Sequence, residues 1–201
     1  MGKSQDPSAK QRQAVSVAVL AGGQSRRMGT DKALVDFEGE PLVVRVARGL
    51  SAISDDVFVV CKQMLALDVP PGFPEVLDGF AEQTPLSGII TALHAAQHPL
   101  VFVVACDMPY VSNDLVIDLC DAAEDADAVV PVHDDVLESL HAVWSVRAVS
   151  KLEALWEEGE RSVRGALRRL ALATVEIAAV TASFTNVNTP NELDASRRPP
   201  T

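Results

Sequence analysis

The chain has 201 residues, of which 48% are hydrophobic and 22% charged, as is typical of one globular domain with a sizeable core. Its formal net charge of −11 disfavours a protein that wraps nucleic acid, because its surface as a whole would repel phosphates. No apolar run reaches the ~18 residues of a membrane-spanning helix, and the polar first dozen residues lack the apolar core of a secretory signal. We therefore expect a cytoplasmic protein without a membrane or nucleic-acid partner.

Short β-branched runs alternate with helical patterns along the chain, which is typical of a layered α/β domain. Strands are predicted at 14–20, 57–60, 75–77, 100–106, 128–132, 139–145 and 174–179. Helices are predicted at 41–50, 85–97, 113–124, 148–157 and 162–170. We expect one three-layer, Rossmann-like α/β domain over 14–195, with a mixed, mainly parallel sheet and helices on both faces. The segment 1–13 is expected to be a flexible tail, and 196–201 a frayed end.

The first predicted strand runs into the segment 20–32, which reads LAGGQSRRMGTDK. Ligands of such sheets bind beyond the carboxyl ends of the strands, so this segment is a candidate site. Gly22 and Gly23 allow a sharp turn whose N–H groups can bind an anion. Arg27 and Lys32 add positive charge to an otherwise acidic chain. A loop with solvated arginines would explain any two of these residues, but their combination after a buried strand predicts a triphosphate site.

Two other nucleotide-binding loops do not fit the spacing of this segment. A Walker A loop requires a glycine directly before the lysine, whereas Asp31 precedes Lys32 here. A dinucleotide fingerprint requires GxGxxG, whereas Gln24 stands two places after Gly22. A Walker A loop and a plain dehydrogenase are therefore disfavoured.

The stretch LAGGQSRRMGTDKAL closely resembles LAGGxSxRMGxDKA, the opening signature of the molybdenum cofactor guanylyltransferases. These enzymes belong to the nucleotide-diphospho-sugar transferase fold, which the resemblance implies here. It also implies that Leu20, Ala21, Gly22 and Gly23 bind the nucleotide together with Lys32. Sugar and cytidylyl transferases of this fold typically carry LAAG, so the glycine at position 22 leaves room beside the base and is consistent with guanine.

An aspartate follows the most apolar strand, at the start of the sequence Asp107-Met108-Pro109. An aspartate at a strand end is most often a turn or helix cap, but it can also hold Mg²⁺ with phosphate oxygens and waters. The resemblance implies that Asp107 is both a catalytic residue and the ligand of Mg²⁺ that bridges the nucleotide phosphates. Arg27 and Lys32 are its expected catalytic partners.

Two further elements match the same family in chain order. Asp78, before Pro85-Leu86-Ser87-Gly88, corresponds to a nucleotide-contacting aspartate, although a surface carboxylate on a loop would look the same. Family members carry an asparagine near the position of Cys61, and a thiol cannot replace its amide hydrogen bonds. The segment 159–162 (GERS) resembles a family step of unclear role.

The C-terminal element NVNTP, residues 186–190, resembles a family motif on the pterin side of the pocket. It implies that Asn186 and Asn188 bind the acceptor, although Asn188 would equally well cap a helix that Pro190 begins.

Other potential sites are weaker. His94 and His98 have a zinc spacing on a predicted helix but lack a third ligand. The three cysteines form no CxxC pair, so Cys61 and Cys106 are expected to be small buried hydrophobic residues.

The resemblance implies transfer of GMP from GTP to the terminal phosphate of a molybdopterin-type acceptor, with Mg²⁺ as cofactor. It also implies transient contacts with other proteins of cofactor biosynthesis or molybdoenzyme maturation. The alternatives are a cytidylyl- or sugar-type nucleotidyltransferase of the same fold and a nucleotide-binding module without catalysis. Fold alone does not separate these alternatives.

Overall fold

A computed structural model describes residues 14–22, 31–67, 72–82, 84–177 and 182–184 of the chain. The predicted tails at 1–13 and 196–201 lie outside these residues. The strands are β1 Val15–Ala21, β2 Asp36–Phe37, β3 Glu40–Pro41, β4 Val57–Cys61, β5 Glu75–Leu77, β6 Leu100–Ala105, β7 Ala128–His133, β8 Val136–Leu137, β9 His141–Ser145 and β10 Leu172–Glu176. The α-helices are α1 Leu42–Leu50, α2 Pro85–Ala95, α3 Asn113–Asp121, α4 Val149–Glu157 and α5 Val163–Leu167.

One large sheet forms the centre of the molecule, in the strand order β10-β7-β9-β6-β1-β4-β5, with β8 paired to β7. The pairs β1–β4, β1–β6, β4–β5 and β7–β10 are parallel, whereas β9 runs antiparallel to both β6 and β7. The strands β2 and β3 form a separate small hairpin. The predicted mixed, mainly parallel sheet is confirmed.

Both faces of the sheet are covered by helices. Every residue of β1 is buried, as the strand lies between β4 and β6 and needs apolar side chains on both faces. Alternate residues of β1 therefore enter two separate cores: Val17 and Val19 pack with α1 and α3, and Ala18 and Leu20 pack with α2, α4 and α5. The predicted three-layer arrangement is confirmed, and the end of β1 reaches the sheet edge between the helix layers.

All the predicted strands and helices are present, with small shifts of their ends. The helix predicted at 85–97 ends at Ala95 because Ala96 has an extended backbone. The backbone N–H groups of Gln97 and His98 then donate hydrogen bonds to the Ser16 hydroxyl. The short strands β2, β3 and β8 were not predicted, because two-residue strands leave too little alternation to be recognised. Among the described residues, no helix has both the length and the apolar character to cross a bilayer.

The three cysteines are free thiols, and Cys61 and Cys106 are buried as predicted. Burial raises the pKa of Cys61 to about 11 and that of Cys106 to about 12. Both are therefore protonated at neutral pH and behave as small hydrophobic side chains.

His141, at the start of β9, is a polar side chain enclosed in the core. Its ring lies between those of Phe102 and Phe184, with centroid distances of 5.0 and 5.1 Å. Neither ring nitrogen has a hydrogen-bond partner in the part of the chain that the structure describes. Burial therefore lowers the pKa of His141 from 6.5 to about 3. The folded chain keeps this imidazole neutral at pH values where the unfolded chain protonates it.

Replacing His141 by phenylalanine is expected to flatten the pH dependence of stability. Because the unfolded chain binds the extra proton, the His141 contribution is complete above pH 6.5 and declines as the pH falls towards about 3. That decline amounts to about 1.4 kcal/mol of unfolding free energy per pH unit. Urea unfolding at pH 7 and pH 5 measures this loss of unfolding free energy in the wild type and in His141→Phe. His94→Phe is the control, because His94 is exposed. Equal losses in wild type and His141→Phe would contradict this prediction.

Candidate active site

A cleft opens at the carboxyl edge of the sheet, over β6, β1, β4 and β5, beside the start of α2. It is open to solvent, and its empty space of about 450 Å³ includes part of that solvent. Its walls are mainly apolar, with a few polar side chains, which is typical of a site for an organic ligand. The residues that line it are Leu20, Gly22, Val60, Cys61, Lys62, Asp78, Thr84, Pro85, Gly88, Ala105 and Leu140.

Helix α2 begins at this cleft because its first turn is well capped. The Thr84 hydroxyl accepts a hydrogen bond from the Ser87 N–H at 3.2 Å, and Pro85 occupies the first helical position. A Cβ atom on Gly88 would lie 3.3 Å from Leu20 Cδ2, so the glycine lets α2 pack closely on the end of β1. Leu20 and Gly88 thus form one wall of the cleft.

Lys32 and Asp107 form an ion pair at the same sheet edge, with 2.6 Å between Lys32 Nζ and Asp107 Oδ2. The Asp31 carboxylate accepts a hydrogen bond from the Ala33 N–H and starts the 3₁₀ turn at Lys32–Leu34. The Cys106 N–H donates to the Leu20 carbonyl at 3.1 Å, which joins the segment after β6 to the end of β1. The structure therefore brings together two residues that are 75 positions apart in sequence.

The carboxylate of Asp107 retains one oxygen for a ligand. Its Oδ1 atom is buried and has no hydrogen-bond partner among the described residues, while Oδ2 is held by Lys32. A buried carboxylate oxygen without a donor is costly unless a ligand completes it. A single hard oxygen donor suits Mg²⁺, which takes most of its ligands from phosphates and waters. Within the described ranges there is no group of three or more His, Cys, Asp or Glu side chains that could hold a metal by itself.

Asp78 lies in the cleft wall, and its side chain is only 4% exposed. It accepts hydrogen bonds from the Ser87 hydroxyl at 2.7 Å and from the Phe80 N–H at 3.0 Å. Its Oδ2 atom also lies 2.7 Å from Lys62 Nζ. The alternative interpretation of Asp78 as a surface carboxylate is therefore wrong, because the fold itself uses this side chain.

Lys62 is a cleft residue that the sequence did not reveal. It follows β4 directly, and its ammonium group lies between Asp78 and the backbone carbonyls of Phe80 and Glu82. The only sequence signal was its position, one residue beyond a buried strand at the edge where Gly22 and Asp107 also lie. No motif accompanied it.

The remaining predicted site residues have different outcomes. Gly22 lines the cleft, and none of the described residues beyond its chain neighbours has an atom within 4 Å of the point where a Cβ atom would stand. The side chain of Ala21 instead packs in the core beneath α1. Four predicted positions lie outside the described residues, namely Gly23, Arg27, Asn186 and Asn188.

Among the described residues, His94 and His98 each contact a different carboxylate. His94 Nε2 lies 2.7 Å from Glu153 Oε1, and His98 Nε2 lies 2.7 Å from Asp55 Oδ1. His98 lies beyond the end of α2, so the two rings do not share a helix face. Their partners are separate surface carboxylates.

Residues 17–175 match the family model for the MobA-like NTP transferase domain. The chain belongs to this family. The molybdenum cofactor guanylyltransferase of Pseudomonas putida is 36% identical over 183 residues, covering 89% of this chain and 95% of that protein. The enzyme of the same name from Vibrio atlanticus is 36% identical over 182 residues, covering 89% of this chain and 93% of its own length.

The solved structure of molybdopterin-guanine dinucleotide biosynthesis protein A from Archaeoglobus fulgidus superposes with a TM-score of 0.77. It is 28% identical and covers 90% of this chain and 96% of its own chain. The predicted nucleotide-diphospho-sugar transferase fold is confirmed by this likeness. As a MobA-like NTP transferase, the chain is a nucleotidyltransferase, which confirms the predicted enzyme class.

Proposed function

We propose that this chain transfers GMP from GTP to the terminal phosphate of a molybdopterin-type acceptor, producing a guanine dinucleotide cofactor and pyrophosphate. The observation that carries the proposal is the Lys32–Asp107 pair beside the cleft, with Asp107 Oδ1 buried and without a hydrogen-bond partner among the described residues. Two relatives that are 36% identical are named molybdenum cofactor guanylyltransferases, and these names support the choice of a guanylyl group and of this cofactor.

The reaction joins two anions, so its difficulty lies in alignment and charge repulsion. The terminal phosphate of the acceptor attacks the α-phosphorus of GTP, and pyrophosphate leaves. The attacking phosphate is already ionised at neutral pH, so no protein base has to remove a proton. Positioning and charge neutralisation are sufficient sources of catalysis for such a transfer.

Each site residue has a role in this scheme. Lys32 neutralises charge on the departing pyrophosphate, and Arg27 is proposed to do the same from the glycine-rich segment. The backbone N–H groups at Gly22 and Gly23 are proposed to donate hydrogen bonds to the phosphates.

Asp107 would hold Mg²⁺ through Oδ1, and the ion supplies charge neutralisation at the phosphates when bound. Asn186 and Asn188 are proposed to bind the acceptor.

The cleft suits the base of the nucleotide. The apolar side chains of Leu20 and Val60 offer contact surface for an aromatic ring, and the polar groups of Lys62 and Asp78 stand at one end of it. The ion pair at Asp107 lies at the β6 side of the same edge, where the phosphates would be placed.

The proposal is tested by measuring pyrophosphate release with GTP, CTP, ATP and UTP in turn, in the presence of Mg²⁺ and molybdopterin acceptor. We expect release with GTP to exceed that with the other nucleotides. A preference for CTP would replace the guanylyl assignment with a cytidylyl transfer. Binding of GTP without release of pyrophosphate would indicate a nucleotide-binding module and refute the proposed catalysis.

Replacing Gly22 by alanine is expected to lower kcat/KM for GTP by about 10- to 100-fold, the range expected for one methyl group in a binding pocket. The described residues leave the space beside Gly22 open, so the added methyl group is expected to compete with the ligand and to leave the fold intact. The loss for the smaller base of CTP should be less. Steady-state kinetics measures kcat/KM for GTP and for CTP in wild type and Gly22→Ala. Gly49→Ala in α1 is the control. An unchanged GTP-to-CTP ratio would argue against this role of Gly22.

The proposed function also predicts protein partners. The acceptor comes from cofactor biosynthesis and the product is used in molybdoenzyme maturation, so transient contacts with proteins of those steps are expected in the cytoplasm. Crosslinking in cells, followed by identification of the captured proteins, detects these contacts. Capture of no protein from either step would contradict the expectation.

A further inference from the structure

We propose that Lys62 and Arg161 are positioning residues for the nucleobase, acting through the loop 79–82. We call this segment the clamped loop; it follows Asp78, and two of its carbonyls accept hydrogen bonds from Lys62, the residue after β4. The inference rests on the proposed function, because it takes the cleft to be the base site. Neither residue is proposed to touch the reacting phosphates.

Lys62 holds the clamped loop from the side of the sheet. Its Nζ atom donates to the Phe80 carbonyl at 2.9 Å and to the Glu82 carbonyl at 3.0 Å, and it lies 2.7 Å from Asp78 Oδ2. An ammonium group has three protons, so these three acceptors use its full capacity. The side chain is 16% exposed, which indicates an interaction built into the fold.

Arg161, which follows α4 in the chain, contacts the same loop through other side chains. Its Nε atom lies 2.9 Å from Glu82 Oε2, a partly exposed charge contact whose geometry does not make a hydrogen bond. Its guanidinium group lies over the Trp156 ring, 3.9 Å from the centroid, and this is the firmer of the two contacts. The Phe80 ring packs edge-on against the same tryptophan, with 4.7 Å between the centroids. Two side chains of the clamped loop are therefore in contact with this pair: Phe80 packs on Trp156, and Glu82 lies beside Arg161.

The backbone around Arg161 is itself fixed by the segment 159–162. Gly159 has a φ of +95°, a conformation that other residues rarely adopt, and it turns the chain after α4. The Glu160 carboxylate then accepts hydrogen bonds from the N–H groups of Arg161 and Ser162, both at 2.8 Å. The GERS element, whose role the sequence left open, therefore has a structural role, because it presents Arg161 to the clamped loop.

The clamped loop determines how the polar end of the cleft is arranged. Asp78 precedes the loop and Thr84 follows it, and both line the cleft beside Lys62. Without Lys62, two backbone carbonyls lose their donor and Asp78 loses its counter-charge. A loosened loop would have to be ordered again when the nucleotide binds, and that cost lowers affinity. The chemical step at Lys32 and Asp107 should be affected much less.

The test uses Lys62→Met and Arg161→Met in the full-length enzyme. We expect KM for GTP to rise at least about tenfold for Lys62→Met and about threefold or more for Arg161→Met, with kcat within about threefold of wild type. Because both residues hold one loop, the KM increase of the double variant should be smaller than the product of the single effects. Arg169→Met is the matched control, since Arg169 pairs with Glu158 at 2.6 Å on the surface.

A second measurement, calorimetric binding of GTP with Mg²⁺, reports affinity without turnover and should show the same increases in Kd. Unchanged KM and Kd in both variants, or a fall in kcat alone, would overturn the proposal. An equal effect of Arg169→Met would do so as well. If Lys62→Met does not fold, Arg161→Met decides the outcome, because Arg161 is at the partly exposed rim. Wild-type enzyme that binds GTP but releases no pyrophosphate would refute the proposed function, while the Kd values would still test the loop.

Discussion

Replacing Asp107 by asparagine is expected to reduce turnover with GTP by about 10²–10³-fold, the usual loss when one charge-stabilising contact is removed from an active site. The substitution keeps the size of the side chain but removes its negative charge. Asparagine also presents an amide nitrogen in place of one carboxylate oxygen, so it is a poorer ligand for a hard cation. Lys32 then faces a neutral partner, and the charge balance around the phosphates is lost.

Initial rates at saturating GTP, measured over a range of Mg²⁺ concentrations, would show this effect. Folding should be retained because Asp107 is 21% exposed and lies at a strand end, and urea unfolding would check that. Asp55→Asn is a suitable control, since the exposed Asp55 precedes β4 at the opposite end of the strands and pairs with the partly exposed His98. Turnover within a few fold of wild type would remove Asp107 from the catalytic site.

Replacing Lys32 by methionine is expected to lower kcat with GTP by a comparable factor, on the order of 10²–10³. Methionine keeps the apolar stem of the side chain and removes only the ammonium charge. The negative charge that develops on the departing pyrophosphate would then no longer be stabilised by a compact, flexible ammonium group. Arginine at this position should restore part of the rate, because it returns the charge in a different shape.

Lys151→Met is the matched control for Lys32→Met, because Lys151 also pairs with an aspartate, Asp127, at 2.7 Å and lies outside the cleft. Groups that act as one unit give non-additive losses, so the double variant Lys32→Met with Asp107→Asn should be less impaired than the product of the single effects. Full activity of Lys32→Met, or strictly multiplicative losses, would contradict a joint role of the two side chains.

Much of the fold and of the ion pair could be predicted from local patterns in the sequence. The strands β1, β4 and β6 are continuous apolar runs, and the residues after buried parallel strands necessarily meet at one edge of the sheet. Lys32 and Asp107 could therefore be proposed as partners before their 2.6 Å contact was known. The family motif added the identity of the ligand, which spacing alone could not provide.

The parts that could not be predicted depend on contacts between distant segments. Lys62 has no motif around it, and its importance appears only when the loop 79–82 closes over it. Arg161 is 79 positions from Glu82 along the chain, so no local pattern could connect them. Asp78 was recognised, but its burial against Ser87 and Lys62 was not, because a carboxylate in a loop is usually exposed.

The pairing of Lys32 with Asp107 also has a consequence for the rate at which GTP reaches the enzyme. The two charges cancel at the cleft, so this pair gives little long-range attraction for an anion. The chain as a whole carries a formal net charge of −11, and a triphosphate approaching it meets a repelling field. Added salt screens that repulsion, so the association rate should rise with ionic strength, opposite to enzymes that steer anions with a basic surface.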